Sequence, residues 1–223
     1  SRSDKLVLKN VEAIEFSDKV VSLEIADRYV NTPSKDNFDG GPGIDTVVYD
    51  KPISNYVVVP GVNGIEVGSA NYSEGSDWLL SIERLQFKDK GLAFDLDGRA
   101  GVAAKTLGLV FGQEAVSVPK YMGICLDYLD NKQLTAEQLM HEALAVRLGA
   151  DAQNAEKLVS FLYERLTGMT PIQSEKDKYV GWITSGAYTA DSLAVFASEL
   201  ALNPVVTQLT GMATTGIAFE MPS

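Results

Sequence analysis

The hydrophobic period of this chain changes once, at Asp97-Gly98. Before that point apolar residues alternate or run in short bursts between glycine and aspartate turns, which is the period of two that strands require. After it they recur every three to four residues, the period of a helix with one buried face. Strands followed by helices, without interleaving, give an α+β fold rather than a parallel βαβ sheet. The expected organisation is a β-rich module over residues 1–97 and an all-α domain over 98–223. The β module reads as short roll-like or sandwich-like hairpins. The helical domain reads as two tandem three-helix units with a C-terminal tail.

Each half carries an internal repeat. In the first, Val11, Glu12, Ile14, Phe16 and Asp18 are matched by Ile82, Glu83, Leu85, Phe87 and Asp89, always 71 residues later (82 − 11 = 71). Each copy reads as strand, Asp/Lys turn, strand: 13–17 with 20–25, and 84–88 with 91–96. Asp4, before Leu6 and Leu8, holds a place in the first copy comparable to Asp77 in the second. Between the copies, Tyr56-Val57-Val58-Val59 and Gly64-Ile65-Glu66-Val67 flank Pro60-Gly61 and predict a hairpin. Glu12 and Glu83 sit beside apolar neighbours, where a carboxylate serves either as a calcium ligand or, as favoured here, in an ion pair or turn cap.

In the second half, an apolar stripe from Val102 to Phe111 ends at Gly112. A second helix runs from Pro119 to Leu129. Thr135 and Gln138 then form a capping box that starts a third. The plan repeats with a stripe from Leu158 to Leu166 ending at Gly168, a helix through Tyr179 and Trp182, and a capped start at Thr189 running to Leu202, with Asn203-Pro204 as its stop. The Met and aromatic residues of these stripes are expected in the core, where twin units bury their faces against each other.

One stretch carries site chemistry. Gly40 to Val48 is a full copy of G-G-x-G-x-D-x-U-x, with U a large apolar residue, and Asp36 to Asp39 fits the D-x-U-x tail of a preceding copy. Glycines allow a backbone with φ > 0, so that carbonyls can turn toward one point. An aspartate at the end of the turn adds the charged oxygen that a hard cation such as Ca²⁺ prefers. U, here Phe38 and Val47, starts an inward-facing strand. The alternative is an ordinary glycine-rich turn with Asp39 and Asp45 as turn formers. Gly75-Ser76-Asp77-Trp78-Leu79 repeats the order glycine, aspartate, apolar strand.

Composition excludes several partners. The 223 residues carry a net charge of −11 and 45% apolar residues, enough for a core and without the basic face that nucleic acid or an anionic membrane requires. No apolar run reaches the ~18 residues of a membrane span. The single Cys125 excludes an internal disulfide. Ser1-Arg2-Ser3-Asp4 leads straight into a strand pattern without signal-peptide features, and reads as a cut from a longer chain.

The groups of an enzyme are missing from the pattern. His141-Glu142 matches the start of H-E-x-x-H, but position 145 is alanine, so a zinc pair is not formed. Cys125, in an apolar run, reads as a small buried hydrophobe. No G-x-S-x-G or P-loop is present, and Gly40-Gly41-Pro42-Gly43 leads into a strand rather than the helix N-terminus that would hold phosphate.

Taken together, Asp39 to Tyr49, the hairpin, Gly75-Ser76-Asp77 and Ile82 to Asp89 resemble the terminal β module of RTX-type, haemolysin-like calcium-binding proteins. The helices after Asp97-Gly98-Arg99-Ala100-Gly101 are similar to a domain of unassigned function that often follows that module and is distantly like phycobilisome-linker helices. The resemblance implies export from a Gram-negative bacterium through a type I secretion apparatus, to the cell surface or medium, and folding there on Ca²⁺. It implies side-chain ligands Asp36, Asp39, Asp45 and Asp77 with carbonyls of Gly41 and Gly43. It departs at Asn31-Thr32-Pro33-Ser34-Lys35, which replaces the glycines of the preceding turn. Family members include surface-layer proteins, adhesins and exported hydrolases, so a non-enzymatic region serving attachment to cell-surface components or self-association is expected. The alternatives are the ancillary end of an exported hydrolase and a glycan-binding module using Trp78, Trp182 or tyrosines. The tail Thr214–Ser223 suits an export signal, a disordered end or a docked one.

Overall fold

The computed structural model describes residues 13–15, 20–22, 26–71 and 75–221. They form a mixed α+β protein, strands first and helices after. The chain divides into two compact units, Ser1–Lys88 and Asp89–Ser223. Asp4, Val11, Glu12 and Phe16 lie outside the described residues.

In the first unit, β1 (Ala13–Glu15) pairs antiparallel with β2 (Val20–Ser22). Then β3 (Arg28–Val30), β4 (Asn37–Asp39) and β5 (Thr46–Val48) start nine residues apart, at 28, 37 and 46. β3 and β5 pair in parallel with Arg28 opposite Thr46, skipping β4. The predicted hairpin follows as β6 (Tyr56–Gly61) and β7 (Gly64–Ser69), antiparallel. β8 (Ser76–Leu80) lies between β7 and β4, antiparallel to the first and parallel to the second. β9 (Arg84–Gln86) is parallel to β5. From β3 to β6, and again from β8 to β9, the chain therefore crosses between two sheets. This is a coil of parallel β-roll, with the β6–β7 hairpin inserted before the next coil is laid down by β8 and β9.

The inward residue of each short strand explains the coil. Val47, Leu79 and Leu85 are completely buried. The Tyr29 and Phe38 rings pack with centroids 5.2 Å apart. Tyr49, Tyr56 and Phe87 form a three-ring cluster with centroids 4.8 to 5.5 Å apart. A three-residue strand has room for one inward side chain, so each rung depends on a large one.

The second unit opens with β10 (Gly91–Ala93), which pairs antiparallel with β11 (Ile217–Phe219) from the far end of the chain. The tail is thus docked as a strand, and Ile217 and Phe219 are buried. Asp95 starts the first helix, its Oδ2 accepting the Ala100 amide at 3.1 Å. That helix, α1 (Arg99–Phe111), ends at Gly112, whose φ of +105° favours glycine. A short α2 (Gln113–Val116) and α3 (Pro119–Leu126) follow, and a π-helical turn over Asp127–Asn131 extends α3 to the end predicted for it. Then α4 (Ala136–Leu148) starts at the Thr135–Gln138 capping box. The second triplet is α5 (Ala155–Thr167), α6 (Gln173–Thr184) and α7 (Ala190–Ser198), with a second capping box at Thr189 and Ser192.

The twin triplets pack on each other through α1, α4, α5 and α7. Arg165 of α5 ties them together, its Nε donating to the Leu109 carbonyl at 2.8 Å, where the last carbonyls of α1 need donors. Met122 and Met140 are completely buried in the two apolar cores. The motif Tyr121-Met122-Gly123-Ile124 of α3 recurs as Tyr179-Val180-Gly181-Trp182 in α6, 58 residues later (179 − 121 = 58).

One helix ends earlier than its pattern suggests. α7 stops at Ser198, and Asn203-Pro204 opens a further helix, α8 (Pro204–Met212). Asn203 is completely buried because it serves three backbone groups. Its Nδ2 donates to the Ser198 and Lys105 carbonyls at 2.9 and 3.2 Å, and its Oδ1 accepts the Val205 amide at 3.3 Å. Asparagine followed by proline is both a stop and a start signal. Here it does both.

Candidate functional site

The chemistry of the first unit lies at the strand starts. Five of its strands begin one residue from the acid of an acid-x-apolar triplet: Asp27-Arg28-Tyr29, Asp36-Asn37-Phe38, Asp45-Thr46-Val47, Asp77-Trp78-Leu79 and Glu83-Arg84-Leu85. The acids stack from coil to coil in a fixed pattern. The Asp45 Oδ1 accepts the Asp27 amide at 2.6 Å, the Glu83 Oε2 accepts the Asp45 amide at 2.9 Å, and the Asp77 Oδ1 accepts the Asp36 amide at 2.9 Å. The next amide along each upper strand returns the bond. Thr46, Arg84 and Trp78 donate to the carbonyls of Asp27, Asp45 and Asp36 at 2.9, 2.9 and 3.0 Å. Each acid thereby closes the rung at the place where the sheet ladder ends and a backbone amide would otherwise lack an acceptor.

Because β4 belongs to the opposite sheet from β3 and β5, the turns before and after β4 lie on opposite edges of the roll. The candidate ligands divide accordingly. Asp36 and Asp77 meet on one edge. Asp77 is buried and its Oδ2 also accepts the Tyr49 hydroxyl at 3.1 Å. Asp36 spans its own loop, accepting the Thr32 amide at 2.8 Å. Burial, and then the adjacent Asp77, push the Tyr49 phenol well above its usual range.

Asp39, Gly41, Gly43 and Asp45 share the other edge. Gly41 and Gly43 have φ of +69° and +152°, as the motif requires. Asp39 is exposed, and its Oδ1 accepts the Gly41 amide at 3.3 Å. Asp45 is completely buried at the base of this turn. Gly40 is held so closely that a Cβ would lie 2.2 Å from the Ser81 carbonyl and 2.6 Å from the Asp45 Cβ. Among the described residues, no three His, Cys, Asp or Glu side chains gather as a metal-binding group.

Glu83 takes the turn-capping role through its bond to Asp45. Asp27 and Tyr49 escaped the sequence reading. The nine-residue spacing of Asp27, Asp36 and Asp45 is the signal that finds the first. Nothing short of the parallel pairing finds the second, since Tyr49 reaches Asp77 across 28 residues.

No family model, curated protein or solved structure matches the chain. The site is therefore read from its own geometry.

Other candidate groups fall elsewhere. The His141 Nδ1 lies 3.0 Å from the Asp191 Oδ2 at the surface of the second unit. No described helix is long and apolar enough to cross a membrane. Trp78 is 40% exposed, its ring lying against Gly64 on the neighbouring strand, while Trp182 is partly buried and packs against the Tyr179, Tyr188 and Phe196 rings. Cys125 is buried, and burial pushes its thiol up to about 12. A thiol that high carries almost no thiolate near neutrality. Labelling of the native protein by a thiol reagent at pH 8 is expected to be at least about a hundredfold slower than after denaturation. Equal rates in the two states would show that Cys125 is open to solvent.

Proposed function

We propose that this chain is a non-enzymatic region of an exported bacterial surface protein, with a first unit tightened by Ca²⁺ and a helical unit for attachment or self-association. The observation that carries this reading is the nine-residue spacing of β3, β4 and β5, with β3 and β5 parallel and a glycine turn of the G-G-x-G-x-D type between β4 and β5. The fit of calcium to the two edges differs. The glycine-turn edge offers the exposed Asp39 carboxylate and the carbonyls of Gly41 and Gly43, with Asp45 beneath them. At the other edge both Asp77 oxygens already accept hydrogen bonds, and Asp36 is taken up by Thr32.

Calcium takes six to eight oxygens, and this turn supplies about half of them. Its binding therefore belongs to the weak, extracellular class, with Kd on the order of 10⁻⁴–10⁻³ M. Ca²⁺ at about 10 mM is expected to raise the Tm of the first unit by several degrees, since a ligand bound only by the folded state stabilises it. Mg²⁺ at the same concentration should have little effect, because it demands a tighter octahedral shell. An unchanged Tm with Ca²⁺, or an equal rise with Mg²⁺, rejects the proposal. Asp39→Asn should remove most of the calcium-dependent shift and leave the Tm in chelator unchanged.

A further inference from the structure

The four-stranded sheet of the first unit, in the order β4-β8-β7-β6, buries one face and opens the other. Tyr56, Val67 and Leu79 are buried, so the residues alternate to them face outward. Strand pairing sets Glu66 of β7 and Asn37 of β4 directly opposite Trp78 of β8, one on either side. One step along, the exposed Asp39 of β4 stands opposite Leu80. Val59 of β6 extends the row beyond Glu66. Val57 and Val59 are each 53% exposed and Leu80 43%, so the face is partly apolar and uncovered.

Trp78 lies flat on this face because the strand beside it carries a glycine. A Cβ on Gly64 would come within 3.2 Å of the indole Cζ2 and 3.3 Å of its Cε2. The ring therefore takes the place of a side chain at position 64, one side resting on β7 and the other open to solvent. The Glu66 carboxylate is tethered, its Oε1 accepting the Ser76 hydroxyl at 2.6 Å, which holds it at β8 two residues along from Trp78. Scattered acids alone would be an ordinary solvated surface. An open indole set between two of them is a different object, because its π face and both carboxylates present negative potential together.

Charge selects the occupant. None of the four strands contains a lysine or arginine, and the whole chain carries −11. An anion is repelled by this face. A second copy of the chain would set the same acids against each other across a twofold contact. A cation on an apolar stem meets the aromatic ring, the carboxylate and the exposed valines at once. Guanidinium fits better than ammonium, since its plane stacks on an indole while its N–H fork pairs with a carboxylate. We propose that this face docks an arginine-bearing segment of a partner protein, one guanidinium stacking on Trp78 and pairing with Glu66.

The test uses the full chain in chelator, so that calcium plays no part, and a labelled short peptide of alternating arginine and threonine followed by fluorescence anisotropy. Saturable binding is expected. The same peptide with citrulline, which keeps the shape of arginine and loses its charge, should bind at least about tenfold more weakly. Trp78→Leu should weaken the arginine peptide about threefold. Glu66→Lys, at an exposed position, should weaken it at least about tenfold. Glu137→Lys, exposed on α4 and making the same change in net charge, should cost less than about twofold. Unchanged far-UV spectra verify that the variants are folded. Equal affinity for the citrulline peptide, equal losses in Glu66→Lys and Glu137→Lys, or full binding by Trp78→Leu would each overturn the proposal. So would saturable binding of cellohexaose in place of the peptide, or dimerisation of the chain that Trp78→Leu abolishes.

Discussion

Gly123→Ala is expected to destabilise the second unit by about 2–3 kcal/mol, while Gly181→Ala, at the matching position of the repeat, stabilises it by up to ~1 kcal/mol. Both glycines lie inside helices, where alanine is intrinsically preferred. Their surroundings decide the sign. A Cβ on Gly123 would sit 2.0 Å from the Glu220 carbonyl oxygen, in the segment that follows β11 and donates the Glu220 amide to the Pro119 carbonyl at 2.9 Å. That segment would have to lift away, exposing Ile217 and Phe219. A Cβ on Gly181 meets nothing within 4 Å. Thermal melts of the two variants, with limited proteolysis after residue 213, read the difference. Equal effects in the two variants would mean that the tail does not rest on α3.

Asp45→Ala is expected to lower the stability of the first unit by about 3 kcal/mol in chelator, where calcium is absent. It removes the acceptor of the Asp27 amide from a completely buried position and leaves a small void. Asp45→Asn keeps a carbonyl oxygen where Oδ1 stands and should recover more than half of the loss. Denaturant unfolding with and without Ca²⁺ separates two roles for this residue. A loss seen in chelator marks the hydrogen-bonded rung. A loss seen only with Ca²⁺ would mark a ligand and nothing more.

Much of the helical unit was legible because helix ends are written in few residues. Gly112 and Gly168 end their helices, and Thr135 with Gln138, and Thr189 with Ser192, start theirs, through contacts only three residues apart. The inward Phe38 and Val47 were equally plain from the glycine turn. Less was legible where one signal has two meanings. Asn203-Pro204 ends one helix pattern and caps the next, and the choice depends on carbonyls as far off as Lys105. The acid ladder was hidden for a related reason. Its bonds join residues 18, 38 and 41 positions apart, so the partner of each aspartate is fixed by the coil pitch and the inserted hairpin rather than by neighbours.

The pairing of β10 with β11 has a consequence in time. Residues 91–93 are made early and 217–219 late, and all eight helices lie between them. A chain that emerges from one end presents α1 to α8 before the strand that closes the unit exists. Low-order helix contacts form first, and the contact of greatest separation forms last. Until then Gly91 to Ala93 offers a bare strand edge, and α3 lacks the backbone that fills the notch at Gly123. The closing strand thus works as a clasp, and the unit is finished only when its last segment has arrived.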